Sequence, residues 1–93
     1  AIEGLTLSLA AEFAPKIKVN CIAPSLTDAK MTQKLLNNET IKKAIENMHP
    51  LPKIGSGDDF SDIGSFLLSD KNSWITGQIF HIDGGRSSLR IKS

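Results

Sequence analysis

A single cysteine, Cys21, is all the thiol the 93 residues contain, so no internal disulfide can brace the fold. It sits inside an apolar run, the setting of a buried small hydrophobe. A reactive thiolate needs a nearby base and some exposure, and neither is visible. No apolar run approaches the ~20 residues that span a bilayer, and no signal peptide stands at the start. Charge of one sign is not in excess either: eleven basic against ten acidic residues leave +1. The lysines are scattered, with Lys16/Lys18 and Lys42/Lys43 the densest groups, and read as solvated positions. That excludes the concentrated basic face of a nucleic-acid binder. His49 and His81 have no partners at metal-ligand spacing, so structural roles are expected of them and no metal site. These absences leave a cytoplasmic, soluble chain whose 40% hydrophobic and 23% charged residues suit one small folded unit rather than disorder.

What is present reads as alternating helix and strand. Ile2, Leu5, Leu9 and Phe13 recur at steps of three and four, one apolar stripe of a helix that Pro15 ends near Ala14. Residues 17–23, IKVNCIA, alternate and then run apolar, as a strand that becomes buried on both faces toward its end. Pro24 closes it. Asp28 or Thr32 caps a short helix over KMTQKLLNN, Asn37–Asn38 stops it, and Thr40 caps IKKAIENM with Ile41, Ala44, Ile45 and Met48 as its stripe. HPLPKIGSG is loop, rich in proline and glycine. Ser56 with Asp59 forms a variant capping box for a helix over residues 58–69, buried through Phe60, Ile63, Phe66 and Leu67. QIFHI is a second strand, Asp83–Gly84–Gly85 a tight turn after it, and residues 86–93 a loose tail.

Strand, helices, strand is a βαβ unit with a parallel pair. Two parallel strands rarely make a stable sheet alone. The first helix also begins at residue 1 with no methionine and no Ser, Thr, Asp or Asn to receive its orphan N–H groups. Both features lead to the expectation that residues 1–93 are a single piece of a longer protein.

Pro24–Ser25–Leu26–Thr27 then poses a choice between a strand-ending turn and a ligand wall. The order of AIEGLTLSLAAEFAP, IKVNCIAPS, HPLPKIGSGDDFSDIGSFLLSD and WITGQIFHIDGG resembles the C-terminal part of the short-chain dehydrogenase/reductase family, over residues 1–85. The resemblance implies an α/β fold: the C-terminal βαβ portion of a Rossmann-type doubly wound parallel sheet, with an N-terminal helix and small lid helices. It implies hydride transfer between NAD or NADP and a small carbonyl or alcohol substrate in the full-length protein. It places Pro24, Ser25, Leu26 and Thr27 beside the nicotinamide, with main-chain groups at Thr27 meeting the carboxamide. Ser25 stands where glycine is common, and Ala29 where a threonine hydroxyl would approach the cofactor. Residues 28–50 become a substrate lid on which Met31 and Leu35 could face an apolar substrate, although core packing explains those two equally well. Gly57 replaces the proline usual at that helix start.

The same resemblance marks what this stretch lacks. There is no glycine-rich dinucleotide fingerprint, and no tyrosine at all to fill the family's Y-x-x-x-K segment, which would lie just before Ala1. The catalytic serine would lie further upstream. No catalytic residue is therefore assigned in this chain, which is expected to be inactive and to bind no NAD(P) by itself. The family further implies that the helix bearing Ile2, Leu5, Leu9 and Phe13 and the last strand lie at subunit interfaces. An apolar strand edge without a neighbour invites pairing or domain swapping. The competing account is thus a non-catalytic module that self-associates as a homo-oligomer.

Overall fold

The computed structural model describes residues 1–25 and 31–90. Helix α1 covers Ile2–Phe13 and ends at Ala14, whose extended backbone precedes Pro15 as proline demands. Strand β1 is Cys21–Pro24, and helices α2 (Gln33–Leu36) and α3 (Glu39–Glu46) follow. Helix α4 is Asp58–Leu68 and strand β2 is Ile79–Ile82. The strands pair in parallel, Cys21 opposite Ile79 and Pro24 opposite Ile82. The α/β fold and the βαβ order expected from the sequence are present.

β1 begins four residues later than the alternation predicts. Asn20 explains the delay: its Nδ2 donates to the Ile75 carbonyl at 3.1 Å and its Oδ1 accepts from the Gln78 amide at 3.1 Å. Val19 donates to Thr76 Oγ1 and accepts from the Gly77 amide. A side-chain and turn network therefore does, for residues 19 and 20, what a ladder does further on. Pro24 lies within the strand at its last position, where its missing N–H costs no ladder bond. Cys21 is half-buried rather than fully buried.

Two capping expectations are corrected. Thr32 does cap α2, accepting from the Leu35 amide, whereas Asp28 lies outside the described residues. For α3 the cap is Asn38, not Thr40: its Oδ1 accepts from the Ile41 amide at 3.1 Å, and Thr40 falls inside the helix. At α4 only half of the capping box forms. Asp59 Oδ2 accepts from the Ser56 amide at 2.8 Å, but the Ser56 hydroxyl donates to the same carboxylate instead of capping.

Burial also departs from the stripes. In α1 the enclosed residues are Thr6 and Ala10, while Ile2, Leu5 and Phe13 are exposed and Leu9 is half-buried. Small side chains form the packing face because α1 approaches the Gly77 turn closely; a Cβ at Gly77 would lie 3.5 Å from that of Ala10. In α4 Leu67 is buried, Phe60 and Ile63 are half-buried, and Phe66 is exposed. No helix among the described residues is long and apolar enough to cross a membrane.

Candidate functional site at the carboxyl ends of the strands

Both strands end in the same neighbourhood, β1 on Pro24–Ser25 and β2 on Asp83–Gly84–Gly85. The glycines take φ +63° and +89°, a left-handed turn that L side chains rarely adopt. Asp83 shapes that turn, accepting from the Gly85 amide at 2.9 Å and the Ser87 amide at 3.1 Å. The expected tight turn is therefore there, and it continues into residues 86–89 through Arg86 N–H to Asp83 O and Leu89 N–H to Gly85 O.

A cleft of about 370 Å³ opens beside the turn, lined by Ser25, His49, Leu51, Phe60, Ile82 and Gly84 among others. A second depression of about 350 Å³ lies on the other side, with Pro24, His81 and Arg86 in its wall. Ser25 borders both. The structure thus brings Pro24 and Ser25 to a ligand-sized concavity at the strand ends, while Leu26, Thr27 and Ala29 lie outside the described residues. Met31 is half-buried and Leu35 exposed, and neither lines these clefts. Ile2, Leu5, Leu9 and Phe13, on α1, line neither of them.

His49 is the site residue that local pattern reading did not find. It is 4% exposed, and both ring nitrogens are engaged: Nδ1 with the Ile45 carbonyl at 2.9 Å, Nε2 with Ser25 Oγ at 3.0 Å. Arg86 Nη1 donates to the same hydroxyl at 3.3 Å. No local signal marks the pair, because the two residues are 24 positions apart.

Two carboxylates near the cleft are held below the ordinary range. For Asp59 the chief cause is the hydrogen bond from Lys53 at 2.7 Å, followed by the Ser56 amide. For Asp83 it is the hydrogen bond from Ser87, opposed by desolvation. A depressed folded-state value contributes stability above the unfolded value and loses it as pH falls through the folded one. The contribution of these two carboxylates is therefore expected to be complete above about pH 5 and to be lost below about 4. Urea titrations followed by circular dichroism check this, and Asp83→Asn should flatten part of the acid loss.

The concavity suits only one end of a dinucleotide. Pro24 and Ser25 offer main-chain groups at strand ends, where open α/β sheets bind ligands. A pyrophosphate would need a helix N-terminus with free amides behind a glycine-rich turn. Among the described residues α4 comes nearest, after Gly55 and Gly57, but the Asp59 carboxylate already occupies the Ser56 amide. The described residues thus offer strand-end main-chain groups and, among them, no glycine-rich turn with free helix amides for phosphates.

Comparisons with known proteins agree with this geometry. Residues 1–87 match the family model described as "Enoyl-(Acyl carrier protein) reductase". An uncharacterized oxidoreductase of Mycobacterium tuberculosis is 42% identical over 86 residues, covering 91% of this chain and 34% of that protein. The solved structure of ElxO with NADP bound superposes with a TM-score of 0.85 at 35% identity, over 96% of this chain and 37% of its own. That of 4-hydroxyisoleucine dehydrogenase complexed with NADH gives 0.85 at 31% identity, over 96% and 37%. The chain spans about a third of the length of the curated relatives it matches.

Proposed function

Because this chain belongs to the short-chain dehydrogenase/reductase family, we propose that it supplies the C-terminal part of a cytoplasmic NAD(P)-dependent oxidoreductase. In the whole gene product a bound nicotinamide would donate or accept hydride, against a small carbonyl or alcohol substrate. Pro24 and Ser25, with Leu26 and Thr27, form the nicotinamide-side wall: they orient the ring through main-chain groups and keep water from one face. Residues 28–50 act as the lid, on which Met31 and Leu35, lining neither cleft here, serve an apolar substrate or the packing of the lid. The observation that carries this reading is the position of Ser25, between two concavities where parallel β1 and β2 end.

The 93-residue chain alone is inactive in this reading and binds no dinucleotide, because its strand ends meet the ring without a phosphate cradle. Fluorescence titration with NADH and NADPH tests both halves. The whole gene product is expected to bind one of them at micromolar concentration and to oxidise it when a ketone is supplied. Micromolar binding by the isolated chain would falsify the placement of the phosphate site outside it, and no binding by the whole product would remove the oxidoreductase reading.

A second reading is favoured by the exposed α1 face of Ile2, Leu5 and Phe13. There the isolated chain is a self-associating module, a homo-oligomer formed through α1, with Leu9 at the margin of the contact, or by exchange of strand edges.

A further inference from the structure

Three chain segments meet at one hydroxyl. Ser25 directly follows β1, His49 follows α3, and Arg86 belongs to the turn after β2. The direction of each hydrogen bond follows from chemistry. A backbone carbonyl only accepts, so the hydrogen shared with Ile45 O sits on His49 Nδ1. Nε2 of the neutral ring then accepts, and the Ser25 hydroxyl donates to it. The hydroxyl oxygen is left to accept from Arg86. Donation thus runs one way, from Arg86 through the Ser25 hydroxyl and the His49 ring to the Ile45 carbonyl.

The imidazole has little freedom to leave it. Its Cβ lies 3.3 Å from where a Cβ would stand on Gly84, and Leu51 N–H binds the Gly84 carbonyl at 2.9 Å. The loop carrying His49 is thereby fastened to the end of β2 while the ring reaches across to the end of β1. A ring flip would put carbons, Cδ2 and Cε1, where the two nitrogens now meet their partners.

We propose that His49 is a positioning residue that fixes Ser25, and with it the nicotinamide-side wall, against the end of β2. The proposal rests on the oxidoreductase reading for what Ser25 faces. The tie also depends on a residue where the family commonly has glycine, which would offer no hydroxyl, so it is a feature of this chain's own sequence.

The test uses the whole gene product and titration with NADH and NADPH. Ser25→Ala and His49→Phe are each expected to weaken dinucleotide binding by about tenfold. His49→Gln, whose amide keeps a donor and an acceptor, should stay within about threefold of the wild type. The double variant should bind no more than about twofold worse than the weaker single one, since both remove the same bond. Ser25→Ala binding like the wild type, or fully additive losses, would overturn the proposal. Nitrogen-correlated NMR of the imidazole is the second readout: a hydrogen on Nδ1 and a bare Nε2 whose frequency moves in Ser25→Ala are expected, and the opposite tautomer overturns the tie. If the wild type binds neither dinucleotide, the oxidoreductase reading fails, Ser25 loses what it was positioned for, and the NMR readout alone decides whether the tie exists.

Discussion

Asn72→Ala is expected to lower the unfolding free energy by about 2–4 kcal/mol, a large fraction of a small domain's stability. Asn72 is 1% exposed and its side chain makes three hydrogen bonds. Nδ2 donates to the Leu67 carbonyl at 3.1 Å and to the Ile75 carbonyl at 3.0 Å, and Oδ1 accepts from the Ile75 amide at 2.9 Å. The Ile75 carbonyl keeps a partner in Asn20 after truncation. The Leu67 carbonyl, among the last of α4 and without an intrahelical partner, and the Ile75 amide do not keep theirs. A buried carbonyl and a half-buried amide left without partners account for the size of the effect. Lys18 further ties this corner to the chain before β1 by donating to the Asn72 carbonyl. Urea unfolding of the whole gene product measures the change as a lower midpoint at unchanged slope. Asn72→Asp should lose at least as much: it keeps the acceptor for the Ile75 amide but turns a carboxylate oxygen toward the Leu67 and Ile75 carbonyls. A loss below about 1 kcal/mol would mean that water replaces the amide.

In sedimentation velocity at low micromolar concentration, the isolated 93-residue chain is expected to run as a dimer or larger species. Apolar side chains that a self-contained unit would enclose face outward: Ile2 is 70% exposed, Leu5 56%, Leu68 91% and Trp74 96%. Among the described residues only Ala10 and Leu67 are buried apolar ones. The radius of gyration, 15.9 Å, exceeds the roughly 12 Å expected of a compact domain this long. The two-stranded sheet leaves an outer edge on each strand, open to pairing. Burying Ile2 and Leu5 in a contact is worth about 1.5–3 kcal/mol each. Leu5→Glu should therefore raise the dimer dissociation constant by about tenfold or more. A monodisperse monomer at these concentrations would count against self-association.

Much of the candidate site's setting was legible locally. Pro15 stops α1, Thr32 caps α2, and Asp83–Gly84–Gly85 turns the chain after β2, because each depends on residues within a few positions. Pro24 marks where β1 ends for the same reason. The start of β1 was not legible: Asn20 satisfies Ile75 and Gln78, more than fifty residues away, with its side chain in place of a ladder. Asn38 outcompeted Thr40 as the cap of α3, since an amide oxygen two residues earlier reached the Ile41 amide first.

Periodicity, proline and glycine thus determined by themselves the order of elements, the parallel βαβ unit and the place where its strands end. Which face of α1 packs, the enclosure of Asn72 and the joining of Ser25 to His49 and Arg86 were decided only in the tertiary structure. Those features depend on which distant segments meet. A hydrogen bond between residues 24 or 55 positions apart leaves no trace in the local pattern that either end displays.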